Sequence, residues 1–315
     1  MYYLGIDLGG TNIAAGVIDE NFKIVGRGKI KTNLPRPAED IVNDMYKAGM
    51  DAIRDAGITL DDIKCVGMGA PGTVNGATGI IEYANNLRFE NVPIRKMLSD
   101  LFKKDIYIEN DANAAAYGEY VAGAAKGAKN AVAITLGTGV GGGLVVDGKI
   151  YAGSNYAGAE LGHIVIDMNS DVQCTCGRYG CWEVFASATG LIRISQQAME
   201  KNKESLMWAL AGSSDRVSGR TAFDAARKGD AAGQMVVDQY VKYVACGLVD
   251  VINIFQPDIL CIGGGISMEG DNLLAPVKKY IDEQHYSKFS DKQTEIVVAT
   301  LGNDAGIIGA AALGK

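Results

Sequence analysis

The sequence predicts an α/β chain of two related domains, each built on a mixed sheet covered by helices. Three observations carry this. First, Ile6-Asp7-Leu8-Gly9-Gly10-Thr11-Asn12, running on to Gly16-Val17-Ile18-Asp19, returns as Ile134-Thr135-Leu136-Gly137-Thr138-Gly139, running on to Leu144-Val145-Val146-Asp147. Aligned on Ile6 and Ile134, the pairs Leu8/Leu136, Gly9/Gly137, Val17/Val145 and Asp19/Asp147 coincide without a gap. Second, each copy heads the order strand, strand, strand, helix, strand, helix, which yields mixed sheets flanked by helices. Third, 315 residues are the length of two domains, each with room for its own core.

In the opening strand Leu4, Ile6 and Leu8 alternate with Gly5, Asp7 and Gly9, the period of a strand. One face is apolar. The other carries glycine and a single carboxylate, costly inside a strand unless it meets a cation or hydrogen-bond donors. Gly9-Gly10 makes a tight turn into a second strand over 13–18, and a third follows over 23–31. Backbone N–H groups at such a turn can approach an anion closely. Two such turns facing one cleft would grip a polyphosphate from both sides.

After a break at Pro35–Pro37, residues 38–56 read as a helix, with Ile41, Met45, Ala48, Ala52 and Ile53 at helical spacing and Gly57 as a stop. A buried strand over 63–69 ends in a rigid loop, 69–76. A polar loop at 84–87 precedes a helix over 94–102. A short strand over 106–108 runs into Glu109-Asn110-Asp111-Ala112-Asn113 and an alanine-rich helix over 112–125. We draw the first domain as residues 1–112 and the second as 113–302. The helix-like stretch 303–315 is expected to return to the first. The second domain opens with the repeat hairpin at Ala131 and a strand over 149–152, then a loop-rich stretch, 151–180. Helices are expected over 182–201, 221–228, 231–255 and 273–284. Strands are expected over 259–262, turning out through Gly263–Gly265, and over 295–300.

A net charge of −7 and a pI near 5.0 argue against a nucleic-acid partner. The 41 glycines cluster at turns rather than in low-complexity tracts, so they signal tight backbone geometry. The chain shows no charged-then-apolar leader and no apolar run of spanning length. It reads as a cytoplasmic protein with no membrane partner, where clustered cysteines are metal ligands or thiols rather than disulfides.

The most specific local pattern is Cys174-Thr-Cys176-Gly-Arg-Tyr-Gly-Cys181, with His163 upstream. One imidazole and three thiolates suit tetrahedral Zn²⁺, and a fully ligated site is structural, folding the knuckle 163–181. Asp111 stands at a strand-to-helix junction beside Asn110. It reads either as a helix N-cap or as a general base at the mouth of the cleft, and its place after the first domain's last strand favours the base. Glu160, His163 and Glu183 form a third group near the knuckle. As hydrogen-bonding carboxylates and an imidazole they suit a hydroxyl-rich sugar, and surface charge is the alternative for the glutamates. His163 has two nitrogens, so it can face zinc, ligand or both. No Gly-x4-Gly-Lys-[Ser/Thr] and no Gly-x-Ser-x-Gly occurs, which excludes a P-loop enzyme and a hydrolase elbow. Gly137-x-Gly139-x-x-Gly142 turns into a strand rather than a helix, unlike a dinucleotide fingerprint.

Asp7-Leu-Gly-Gly-Thr11, Leu136-Gly-Thr-Gly139 and Gly263-Gly-Gly265 resemble the two phosphate loops and the adenosine loop of the actin-like ATPase superfamily. Glu160-Leu-Gly-His163 followed by Cys174-x-Cys-Gly-x-x-Gly-Cys-x-Glu183 is similar to the signature of ROK proteins, a family of repressors, open reading frames and kinases. The resemblance spans essentially the whole chain. It implies two actin-like (ribonuclease H-like) domains with the active-site cleft between them. It also implies an ATP- and Mg²⁺-dependent kinase of glucose or a related hexose, acting on the 6-hydroxyl as bacterial ROK glucokinases do. Asp111 would be the catalytic base. Asn110, Glu160, His163 and Glu183 would hold sugar hydroxyls, with Gly72 and Asn86 in loops bordering the sugar. Gly9, Gly10, Thr11, Asn12, Thr138 and Gly139 would hold the ATP phosphates, and Asp7 would face the magnesium hydration shell. Gly264 and Gly265 would lie against adenosine, and His163, Cys174, Cys176 and Cys181 would bind zinc. A homodimer or homotetramer is expected. Family repressors carry a helix-turn-helix domain before the first phosphate loop, and here only Met1–Ile6 precede Asp7. The alternatives are a ROK kinase for N-acetylmannosamine, N-acetylglucosamine or fructose, a sugar-sensing module with little catalysis, or an actin-like filament or chaperone ATPase.

Overall fold

The computed structural model describes residues 1–315. Strands β1 (Tyr2–Leu8), β2 (Asn12–Ile18) and β3 (Ile24–Lys31) lead into helix α1 (Ala38–Asp55). β4 (Ile63–Ala70) is followed by the short strands β5 (Thr73–Asn75), β6 (Ile80–Ala84) and β7 (Phe89–Val92). Then come α2 (Ile94–Phe102), β8 (Asp105–Asn110) and α3 (Asp111–Ala122). A second set of hairpins, β9 (Ala131–Leu136), β10 (Val140–Val146) and β11 (Lys149–Ile150), precedes five helices: α4 (Glu183–Ala186), α5 (Ala188–Lys201), α6 (Leu206–Ala211), α7 (Thr221–Arg227) and α8 (Ala231–Phe255). β12 (Ile259–Gly263), α9 (Asp271–Gln284), β13 (Glu295–Val298) and α10 (Ala305–Ala312) complete the chain.

The two five-stranded sheets have one connectivity. The first runs β3-β2-β1-β4-β8 and the second β11-β10-β9-β12-β13, so each places its third, second, first, fourth and fifth strand in that order. The internal repeat read from the glycine hairpins is therefore a repeat of topology. The chain forms two units, one of residues 1–133, 143–159 and 299–315, the other of residues 134–142 and 160–298. The boundary drawn at 112 lies inside the first unit, because α3 packs along α10.

In the first unit β1 pairs antiparallel with β2 and parallel with β4, and β4 pairs parallel with β8. The alternation in β1 sorts its two faces. Leu4, Ile6 and Leu8 are fully buried in one cluster with Ile41 and Met45 of α1 and Val66 and Met68 of β4. Burying each such side chain is worth about 1.5–3 kcal/mol. The opposite face, with Tyr3, packs on Ile307 and Ile308 of α10. Small residues let α10 approach: a methyl group at Gly67 would strike the Ala310 carbonyl, and one at Gly309 the Ala114 carbonyl of α3. The far end of α3 is tied to the returning chain by Glu119, only 2% exposed. Its carboxylate accepts hydrogen bonds from the N–H groups of Ala124 (2.8 Å), Thr300 (3.2 Å) and Leu301 (2.8 Å), and from the Thr300 hydroxyl (3.3 Å).

Three elements differ from the sequence expectation. The stretches around 69–76 and 84–87, read as loops, frame a three-stranded sheet, β5-β6-β7. The helix expected over 182–201 is two helices, parted where Ser187 turns extended and caps α5 by accepting the Gly190 N–H at 3.1 Å. α6 was not anticipated. In the second unit the indole of Trp182 is fully buried against α8 and donates to the Tyr243 carbonyl at 2.8 Å. No helix is long and apolar enough to cross a membrane.

Candidate active site

Asp7 lies near the end of β1, in register with Gly69 of β4, and Gly69 is in register with Glu109 of β8. Two carboxylates thus occupy one row across three parallel strands, towards their carboxyl ends, where open α/β sheets bind ligands. Gly69 lets the first turn of α3 cross the row: a Cβ there would sit 3.2 Å from the Ala114 Cβ and 3.4 Å from the Asp111 Cα. Burial, and then the Asp111 carboxylate, push Asp7 up to about 6. Burial also raises Asp111, against the backbone N–H groups that stabilise its charge. Buried like charges that share a site resist joint ionisation, and a cation there would relieve both.

The cap reading of Asp111 is corrected. Asn110 is the N-cap of α3, its Oδ1 accepting the N–H groups of Ala112 (2.9 Å) and Asn113 (3.2 Å). Asp111 is the first helical residue, its Oδ1 accepting the Ala112 N–H at 2.9 Å. The Asn110 Nδ2 donates to the Gly72 carbonyl at 3.1 Å. Gly72 has φ +94° and no room for a side chain beside Tyr83 and Ala84. Asn86 is exposed in a single 3-10 turn, Asn85–Leu87. The first glycine turn is closed by the Gly9 N–H donating to the Asn12 carbonyl at 2.9 Å. Thr32 steadies it, its hydroxyl donating to the Gly9 carbonyl at 2.7 Å. Gly10 and Thr11 are exposed at its tip.

In the second unit the Gly137 N–H donates to the Gly139 carbonyl at 3.0 Å and closes the second glycine turn. The start of α5 holds that turn. The Ala188 N–H donates to the Gly137 carbonyl at 2.7 Å, and the Thr189 hydroxyl to the Thr138 carbonyl at 2.8 Å. Glu183 reaches the same turn, its Oε2 accepting the Val140 N–H at 3.0 Å, and a methyl at Gly139 would strike it. Its Oε1 accepts from the Thr175 hydroxyl at 3.3 Å and faces the Cys174 Sγ at 3.6 Å. Glu183 therefore joins the glycine turn to the cysteine knuckle. Glu160 is exposed and its carbonyl accepts the His163 N–H at 3.0 Å, closing the 3-10 turn Leu161–His163. Gly264, φ +86°, passes against the Leu136 backbone, with Gly265 beside it at the start of a 3-10 turn.

The ligand atoms of His163, Cys174, Cys176 and Cys181 all lie within 4.8 Å of one another. His163 Nδ1 is 3.5 Å from Cys174 Sγ, and Cys176 Sγ is 3.7 Å from Cys181 Sγ. Tetrahedral zinc with bonds of about 2.3 Å to sulfur and 2.0–2.1 Å to nitrogen sets such pairs about 3.5–3.8 Å apart. Distances and donor chemistry both fit. Without a cation the thiols crowd, and burial followed by the neighbouring thiols pushes Cys181 up to about 12.

Sequence reasoning missed four residues that shape these sites. Glu109 buttresses the α3 cap, Thr32 steadies the first turn, and Thr175 and Thr189 brace the second. None of the four carried a local signal, since the helix start at Ser187 shows only in its extended backbone.

A family model described as the ROK family matches residues 3–315. The glucokinase of Thermotoga maritima is 36% identical over 313 residues, covering 99% of this chain and 96% of its own length. A crystal structure of a ROK family glucokinase from Streptomyces griseus, in complex with glucose and AMPPNP, is 34% identical with a TM-score of 0.83 over 99% of each chain. The xylose repressor of Caldicellulosiruptor bescii is 28% identical over 98% of this chain and 77% of its own. With a family match from end to end, and the glycine turns, Asp111 and the Cys₃His cluster in place, the chain belongs to the ROK family.

Proposed function

We propose that this chain is an ATP-dependent glucokinase that transfers the γ-phosphoryl group of ATP to the 6-hydroxyl of glucose, giving glucose 6-phosphate and ADP. The observation that carries the reading is Asp111. It is a half-buried carboxylate at the head of α3, relieved of the capping role by Asn110, in a chain aligned end to end with proteins named glucokinases. As the hydroxyl oxygen attacks phosphorus in line, the bond from phosphorus to the ADP oxygen breaks and the hydroxyl proton passes to Asp111. Burial raises its proton affinity, which makes it a better acceptor than an exposed carboxylate. General-base action is worth roughly 10²–10⁴-fold.

Asn110, Glu160, His163 and Glu183 are assigned to sugar hydroxyls, with Gly72 and Asn86 in bordering loops. Gly9, Gly10, Thr11, Asn12, Thr138 and Gly139 are assigned to the ATP phosphates, and Gly264 and Gly265 to adenosine. Magnesium bound with ATP would supply charge neutralisation on the phosphates, and Asp7 is assigned to its hydration shell. Zinc held by His163, Cys174, Cys176 and Cys181 supplies a fixed frame for the knuckle, through which Glu183 and His163 are oriented. The reaction belongs to the cytoplasm, and the oligomer expected of the family is a dimer or a dimer of dimers.

A coupled ADP-release assay with ATP·Mg²⁺ tests the reading over glucose, mannose, fructose, N-acetylglucosamine, N-acetylmannosamine and no sugar. We expect the highest turnover on glucose. A peak on another sugar keeps the chemistry and overturns the substrate. ADP release indifferent to every sugar overturns the kinase.

A further inference from the structure

Glu109 and Asn113 flank Asp111 and take no part in the chemistry above. Asn113 is only 3% exposed, and its Oδ1 has no hydrogen-bond partner. Its Nδ2 donates to Glu109 Oε1 at 3.1 Å. The same oxygen accepts the Asn110 N–H at 2.9 Å. One carboxylate at the end of β8 thus holds the residue before Asp111 and the residue two after it. A buried amide with one orphaned end is expensive. Its remaining bond, to Glu109, accounts for its presence here. The Asn110 side chain closes the same turn from the other side, through Ala112, Asn113 and Gly72. Within this ring the Asp111 carboxylate is held by backbone N–H groups of its own first turn, that of Ala112 at 2.9 Å.

We infer that Glu109 and Asn113 are positioning residues. Through the bonds from Glu109 Oε1 to the Asn110 N–H and the Asn113 amide, they fix where the Asp111 carboxylate stands. The inference rests on the proposed role of Asp111 as base. It demands a hydrogen-bond acceptor at 109, because both bonds run to the one oxygen, Glu109 Oε1. Glutamine can keep both bonds, and alanine keeps neither.

The test is steady-state kinetics on the full chain with glucose and ATP·Mg²⁺, using Glu109→Ala, Glu109→Gln, Asn113→Leu and Asp111→Asn. A misplacement of about 1 Å costs on the order of 10²-fold. Glu109→Ala and Asn113→Leu should each lose roughly 10–100-fold in kcat, with KM for ATP unchanged within about twofold. Glu109→Gln should restore kcat to within about threefold of wild type, with an unshifted pH profile. In an Asp111→Asn background Glu109→Ala should cost nothing further, because residues acting through one another are non-additive. Wild-type kcat in both Glu109→Ala and Asn113→Leu overturns the inference. So does a full Glu109→Ala loss that persists on Asp111→Asn, or a Glu109→Gln variant as slow as alanine. If Glu109→Ala does not fold, Asn113→Leu and Glu109→Gln carry the same decision. Asp111→Asn with wild-type turnover would instead overturn the base assignment itself.

Discussion

Asp7 should make the protein less stable at neutral pH than it would be with a neutral side chain. Its carboxyl is lifted from an ordinary 3.8 to about 6 by burial and by Asp111. A carboxyl raised in the folded state favours folding only while protonated. That contribution is complete below about 3.8 and is lost as pH rises through about 6. At about 1.36 kcal/mol per unit the loss is on the order of 3 kcal/mol. Asn mimics the protonated acid at every pH. The stability advantage of Asp7→Asn over wild type should therefore grow by about 2–2.5 kcal/mol between pH 4 and pH 7.5, on the order of 2–4 °C of Tm for each kcal/mol. Urea unfolding of both proteins across that range, without nucleotide or Mg²⁺, reads the difference directly. Asp111→Asn should flatten part of the slope, since it removes one of the two causes. Parallel wild-type and Asp7→Asn curves would refute the reasoning, for they would mean that Asp7 ionises freely in the folded protein.

Two further perturbations probe the frame of the sites. Stripping metal with a chelator, or Cys181→Ser, should release close to one zinc per chain by elemental analysis and lower Tm; a metal content near zero in freshly purified protein would contradict the site. Glu119→Ala should cost roughly 1–3 kcal/mol, the range for leaving buried donors unsatisfied, because it strands the N–H groups of Ala124, Thr300 and Leu301. A change within about 0.5 kcal/mol in thermal or urea unfolding would show that those donors find water.

Much of this architecture was legible because it is local. The strand period around Asp7, the glycine turn and the repeat at Ile134 are nearest-neighbour patterns, and the sheets reproduce them with one strand order. The cysteine knuckle was readable for the same reason, since Cys174, Cys176 and Cys181 sit on a few residues of chain. What was hidden depends on partners far away in sequence. The β5-β6-β7 sheet forms from segments of three to five residues, each too short to show a period. The helix over 182–201 keeps its helical pattern through the break, and only the extended backbone of Ser187 divides it. The capping role offered to Asp111 falls to the adjacent Asn110, whose Oδ1 accepts the Ala112 and Asn113 N–H groups, a choice that two neighbouring capping residues do not reveal in sequence. Glu183 reads as a residue of the knuckle, yet its second oxygen is spent on Val140. The pairing of Glu109 with Asn113 spans a strand-to-helix junction, where neither period applies.

The most direct measurement is formation of glucose 6-phosphate from glucose and ATP·Mg²⁺, compared between wild type and Asp111→Ala. One sugar phosphate for each ADP in the wild type, with a loss of roughly 10²-fold or more in a folded Asp111→Ala, is the predicted result. ADP without sugar phosphate, or equal rates in the two proteins, would contradict the assignment of a sugar kinase that uses Asp111 as its base.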